Sequence, residues 1–237
     1  LSDSGSLGNT AQTLSRRLGQ KDTETRKLDD DLEGLSLVKD SLKRFSITPV
    51  STSTTRDVEV GGIPVDSDYV IFVVDTSGSM QQIWGRVSAK ILNVLSIHPK
   101  VKGFQILNDQ GKSLISAYAG RWIPDTPQRR KSVMTLFGSW NEVSNSSPVE
   151  GIETALKQYV KPGQGVSIYV FGDDYTGSSY DPVIEKITRL TKGAKSSRRL
   201  AKIHGVGFIS PHTTNRFAIL MRELTRRNGG TFLALPL

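Results

Sequence analysis

An α/β fold is what this 237-residue sequence predicts: a doubly wound, mostly parallel six-stranded sheet with one antiparallel edge strand and helices on both faces, preceded by an N-terminal helix. Three observations lead there. The run Tyr69–Val74 (YVIFVV) is continuously apolar and strand-sized, as expected of a central strand covered on both faces rather than one. From Ser67 onward, strand-sized runs alternate with helix-spaced segments, the order that builds parallel sheets through crossover helices. The composition, 36% hydrophobic and 23% charged, suits one globular α/β domain with an appendage.

Taken from the N-terminus, residues 1–46 read as helix after a Ser/Gly-rich start. Leu7, Leu14, Leu28, Leu35 and Leu42 fall on one seven-residue series broken by Lys21. Ala11, Leu18 and Leu32 follow members of that series by four residues, broken at Thr25 and Lys39. Two readings stay open: a coiled-coil stalk through which the chain self-associates, or an amphipathic helix that lies on its own domain or frays in solution. Residues 47–67, ending Gly61-Gly62-Ile63-Pro64-Val65, form an extended linker with room for one short strand, and 68–237 make up the α/β domain.

Within that domain a helix over 83–97 stops at His98-Pro99. Strands at 102–107 and 113–118 flank Asn108-Asp109-Gln110-Gly111, which reads as a hairpin turn. Asp125-Thr126-Pro127 is a helix start, with a cap followed by proline in the first turn, and the helix runs to about Trp140. A polar loop over 141–147 precedes a helix over 148–160. Strand 166–171, helix 182–191, strand 201–208, helix 215–227 and strand 231–235 complete the order. Trp84, Trp122 and Trp140 read as core anchors and His204 as a structural histidine.

The absence of cysteine excludes disulfides, thiolate-held metals and a cysteine nucleophile. The net charge of +8 is uneven: residues 1–60 hold 9 Lys/Arg against 10 Asp/Glu, so the excess lies in the remainder. Its basic residues are scattered, and the densest cluster, Lys195-Ser196-Ser197-Arg198-Arg199, has no aromatic interleaving. Nucleic acid is therefore not expected, whereas an acidic protein partner is. No apolar run approaches the roughly 18 residues needed to span a bilayer. The sequence starts with Leu1, which points to a processed or excised piece. Any membrane tether would lie upstream, and an extracytoplasmic location is expected ahead of a cytoplasmic one.

The chemistry concentrates at Asp75, Ser77 and Ser79, directly after the first central strand. In a doubly wound sheet the loops at the carboxyl ends of the strands form the ligand crevice. One carboxylate and two hydroxyls at alternate positions all offer oxygen, the donor that Mg²⁺, Ca²⁺ and Mn²⁺ prefer, and Gly78 lets the backbone turn between the serines. The competing explanation is that Ser77 and Ser79 merely cap the next helix.

The run Val73-Val74-Asp75-Thr76-Ser77-Gly78-Ser79-Met80 resembles the metal-ion-dependent adhesion site of von Willebrand factor A domains, in a bacterial type. The resemblance extends over 67–235. At its far end, Leu220-Met221-Arg222-Glu223-Leu224 and Asn228-Gly229-Gly230-Thr231-Phe232 look like the family's last helix, Gly-Gly turn and last strand. It implies a cation held by two serines and a threonine, by acidic residues directly or through water, and by a carboxylate from a partner. Ser146 stands at the threonine position, five residues before Gly151-Ile152, with Ser147 as the alternate. The family's Asp-Gly is replaced by Gly172-Asp173-Asp174, so Asp173 is the second acidic position and Asp174 its alternate.

The implied set is thus Asp75, Ser77, Ser79, Ser146 and Asp173 around one divalent cation, Mg²⁺ first, with Ca²⁺ or Mn²⁺ as alternatives. The expected function is non-enzymatic: a cation-dependent protein-binding module that recruits a Glu or Asp of another protein. One alternative is an extracytoplasmic stalk-and-head subunit of a membrane-anchored, ion-driven motor complex. A second is a metal-dependent hydrolase using Asp173 or Asp174, although the sequence has no G-x-S-x-G, P-loop or H-E-x-x-H motif.

Overall fold

A computed structural model of the chain describes residues 59–60, 63–64, 67–97, 100–192, 199–209 and 213–236. The helix expected over 1–46, with its stalk, lies outside the described residues, as do most of the linker and the Lys195–Arg198 part of the basic cluster. What is described of the linker is a minimal antiparallel pair, β1 (Glu59–Val60) and β2 (Ile63–Pro64), paired through Glu59↔Pro64 and Val60↔Ile63.

The domain proper starts with β3 (Tyr69–Val74), then α1 (Gly78–Gln82), α2 (Trp84–Ile97) and β4 (Gly103–Asn108). A 3₁₀ turn at Ser116–Tyr118 leads to β5 (Ile123–Pro124) and α3 (Pro127–Gly138). Then come α4 (Val149–Thr154), which widens into a π turn at Ala155–Tyr159, and β6 (Val166–Gly172). The order ends with α5 (Asp181–Lys192), β7 (Ala201–Ile209), α6 (Arg216–Arg227) and β8 (Phe232–Pro236).

Six strands form one sheet in the order β5–β4–β3–β6–β7–β8, parallel except for β5 at the edge. The chain builds outward from β3 through β4 and β5, then returns to place β6 on the other side of β3. The strand order therefore reverses at β3, and the crevice of such a sheet opens at its carboxyl end.

The uninterrupted apolar run of β3 is explained by the two cores it serves. Val70, Phe72 and Val74 belong to one core with Met80, Val87 and Ile91 of α1 and α2 and Val133 and Phe137 of α3. Ile71 and Val73 belong to the other, with Ile152 of α4, Ile184 of α5 and Phe217 and Leu220 of α6. Each such side chain, fully removed from water, contributes about 1.5–3 kcal/mol. A strand alternating polar with apolar residues would forfeit one of the two faces.

The antiparallel edge strand exists, but 113–118 does not form it. After the isolated bridge Leu107↔Ser113 and a bond from Leu114 N–H to the Ile106 carbonyl, the chain leaves the ladder. Fully buried Gln105 is the cause: its Nε2 donates to the carbonyls of Tyr118 and Arg121, both at 2.9 Å. The Tyr159 hydroxyl, delivered by the π turn, accepts the Gly120 N–H at 2.8 Å. These side chains capture the segment as turns, and Ile123 pairs with Phe104 instead.

The start of α3 divides its roles. Thr126 caps, accepting from Arg129 N–H at 3.3 Å, whereas Asp125 pairs in bidentate fashion with Arg130 at 2.6 Å for both bonds and accepts Val101 N–H at 2.9 Å. The tryptophans are anchors. Trp84 packs on Phe137 and donates to its carbonyl, Trp140 packs on Phe137, and Trp122 lies between Tyr69 and Tyr159. His204 is buried and structural: its Nδ1 accepts Thr231 N–H at 3.2 Å, and its ring stacks on Tyr169.

Candidate metal centre

The carboxyl end of β3 is fixed by its neighbours. Asp75 N–H continues the ladder to the Phe171 carbonyl at 2.8 Å, and Asp109 N–H reaches the Val74 carbonyl at 2.9 Å. Beyond it the chain turns sharply, because Asp75 Oδ1 accepts Ser77 N–H at 2.8 Å. Ser77 occupies the capping position of α1, yet its side chain makes no capping bond; its hydroxyl faces that of Ser79 at 3.1 Å. Helix capping therefore does not account for Ser77.

A second segment closes over this turn. Ser77 and Ser144 form an isolated parallel bridge, and Gln81 Nε2 donates to the Trp140 and Glu142 carbonyls. Two residues further on, Ser146 sits in the left-handed region with φ 55° and is buried. Its carbonyl accepts Thr176 N–H at 3.1 Å, and the Thr176 hydroxyl donates to the Asn145 carbonyl at 2.7 Å. The hydroxyl of Ser147 is committed to Glu150 Oε2 at 3.0 Å, while its N–H donates to Asp109 Oδ2 at 3.3 Å. Gly151 lets α4 approach this closely: a Cβ there would stand 2.7 Å from the Asn108 carbonyl oxygen and 2.9 Å from that of Asp109.

The third segment follows β6. Asp173 is buried, and Asp174 caps the loop, its Oδ1 accepting Tyr175 N–H at 2.7 Å and the Thr214 hydroxyl. The adjacent acids thus do different work, and only Asp173 turns inward. Ser79 and Asp75 both act on its carboxylate, whose Oδ1 has no hydrogen-bond partner.

Electrostatics single out this end of the sheet. Burial first, and then the charge of Asp109, push the Asp75 carboxyl from its ordinary 3.8 up to about 7. Burial likewise raises Asp109 and Asp173. After burial, the largest influences on Asp75 are the Asp109 charge and its bonds with Ser77. Several oxygens here are shielded from water and have no hydrogen-bond partner: Asp75 Oδ2, Thr76 Oγ1, Asp109 Oδ1, Ser144 Oγ and Asp173 Oδ1. Each such orphan costs about 1–3 kcal/mol. Oxygen-only donors, buried carboxylates and partnerless oxygens fit a hard divalent cation. Among the described residues no three His, Cys, Asp or Glu side chains could hold an ion by themselves, so an ion here would also depend on the hydroxyls.

Asp109 is hidden in the sequence, where it reads as part of a turn. The signal for it is nonetheless there: β3, β4 and β6 lie side by side in register, and each is followed at once by an aspartate, Asp75, Asp109 and Asp173.

No family model matches the sequence, and no curated protein matches it. Similar solved structures exist. One is a von Willebrand factor type A protein from Catenulispora acidiphila, with a TM-score of 0.53 and 12% identity, covering 71% of this chain and 38% of that one. Another is proximal thread matrix protein 1 from the mussel byssus, with a TM-score of 0.51 and 11% identity, covering 73% and 43%. A third is the pilus adhesin SpaC from Lactobacillus rhamnosus GG in its open conformation, with a TM-score of 0.44 and 14% identity, covering 72% and 28%. The chain spans less than half the length of each. At these identities the first two likenesses show the fold alone: a mostly parallel α/β sheet like that of a von Willebrand factor type A protein.

Proposed function

We propose that the domain is a non-catalytic module that binds another protein through a divalent cation held at the end of β3. The observation that carries this is the set of buried, partnerless oxygens on Asp75, Thr76 and Asp173, placed where the strand order reverses. Asp75, Ser77, Ser79, Ser146 and Asp173 would hold the ion, with Mg²⁺ the first candidate. The ion's contribution is a concentrated positive charge able to attract a carboxylate of the partner. The chain's own residues do the rest: Asp75 fixes the turn through Ser77 N–H, and the Ser144–Ser147 segment shields the site from water. The basic excess of the domain favours an acidic partner.

The test is a pull-down with wild-type protein and an Asp75→Ala/Ser77→Ala variant, each with and without Mg²⁺. The expected partner is retained only by wild type with the ion; one retained under all four conditions would sink the ion-bridged mechanism. Phosphatase and nucleotidase assays with Mg²⁺ or Mn²⁺ are expected to show no turnover, and ion-dependent turnover lost in Asp75→Ala would overturn the non-catalytic reading.

A further inference from the structure

We propose that Asp109 is a third acidic member of the cation site, there to strengthen the grip on the ion. The inference rests on the reading of the β3 end as a cation site. Asp109 follows β4 immediately, is fully buried, and acts on Asp75 through its charge. One of its oxygens has a structural duty, since Oδ2 accepts Ser147 N–H at 3.3 Å. The other, Oδ1, is shielded and has no partner, and the shielded Ser144 hydroxyl stands near this carboxylate without meeting hydrogen-bond geometry.

The alternative is that Asp109 merely secures the Ser147 turn. An asparagine would accept the same N–H without burying a charge that acts on the Asp75 carboxylate. The charge is a pure liability to the fold unless a cation balances it. Its placement also answers the weak point of the donor set. Ser146 lacks the stiffening methyl of a threonine, and a further buried carboxylate at the end of the neighbouring strand would add attraction for the ion that does not depend on that hydroxyl. Asp109 thus acts through charge beside the Asp75 turn, while its second oxygen holds the shielding segment in place.

The experiment is Mn²⁺ and Mg²⁺ titration by calorimetry of wild type, Asp109→Asn, Asp75→Asn and Asp174→Asn, with melting temperatures in EDTA. Supporting residues around metal sites are typically worth about 10–100-fold in affinity. Asp109→Asn is expected to bind about that much more weakly, Asp75→Asn to lose saturable binding, and Asp174→Asn to stay within about twofold. In EDTA, Asp109→Asn should melt at or above the wild-type temperature, because the Ser147 N–H bond survives and a buried charge is lost; weaker binding then cannot be ascribed to a damaged fold.

Asp109→Asn binding within twofold of wild type, while Asp75→Asn loses the ion, overturns the inference and leaves the site standing. An EDTA melting temperature lowered by several degrees with unchanged affinity likewise overturns it. Wild-type protein with no saturable binding overturns the cation site itself. Should Asp109→Asn not fold, Asp109→Ser is titrated in its place, against the same expected loss.

Discussion

Replacing Asp75 with asparagine should make the ion-free protein more stable and blind to Mg²⁺. The shape is conserved, and the amide oxygen introduced by Asp75→Asn would still accept Ser77 N–H as Oδ1 does now, so the turn survives. What disappears is a buried charge. Lifting the Asp75 carboxyl from 3.8 to about 7 corresponds to a ceiling of about 4 kcal/mol against the ionised form above neutral pH. Asp109 and Asp173 share the same relief, so roughly half of that, about 2 kcal/mol, is the expected gain. For a domain of this size that raises the melting temperature by about 4–8 °C.

The pH dependence follows from the direction of the shift. A carboxyl that holds its proton more tightly folded than unfolded stabilises the fold below its unfolded pKa, and that stability is lost as pH rises toward the folded value. Wild-type protein in EDTA should therefore weaken between about pH 4 and pH 7, and Asp75→Asn should weaken less. Adding Mg²⁺ near pH 8 should restore wild-type stability by preferential binding to the folded state and leave the variant unmoved. Circular-dichroism melts at the two ends of this range, with EDTA and with Mg²⁺, read all of it. A variant that melts below wild type at the alkaline end in EDTA would refute the claim that Asp75 is held at a cost.

Three further outcomes follow from the same region and its support. Ser146→Gly should keep the fold, because φ 55° suits glycine, and lose ion affinity by calorimetry. Ser146→Thr should cost about 1–2 kcal/mol in urea unfolding, because a β-branched residue resists that conformation. Gly151→Ala should lose about 1–3 kcal/mol by the same assay, since its Cβ would meet Val73 Cγ1 at 2.6 Å as well as two backbone oxygens, none of which can yield cheaply. Asp125→Ala should cost about 3 kcal/mol, at the low end for a broken buried pair because Arg130 keeps some contact with solvent.

The contrast between these residues shows how far sequence reasoning reaches. The strand end and turn that carry Asp75, Ser77 and Ser79 were legible because the signal is local: a buried strand ends, a tight turn begins, and both facts are written in adjacent residues. The same holds for Thr126 as a cap and for β3, whose apolar run has no reading other than two covered faces. The edge strand was misplaced because the deciding group, Gln105, lies within a strand and acts at Tyr118 and Arg121 through its side chain. Asn108-Asp109-Gln110-Gly111 carries a true turn signal as well: Asn108 Oδ1 accepts Gln110 and Lys112 N–H, and Gly111 has φ 86°. A correct turn signal thus drew attention away from the burial of Asp109.

Ser146 illustrates the remaining limit. Counting back from Gly151 selects it by position, but its left-handed backbone is set from outside its own segment, by Thr176 holding the carbonyls of Asn145 and Ser146. That contact also gives a physical reason for serine where the resembled pattern has threonine, since a β-branched side chain strains there. The departure that weakens one donor and the extra carboxylate at Asp109 meet across one short stretch of chain, joined by the Ser147 N–H bond. On the proposed reading the atypical half of the site would be one coupled arrangement, in which added negative charge offsets a softer hydroxyl. A cycle of Ser146→Gly and Asp109→Asn, singly and together, should show affinity losses that fail to add.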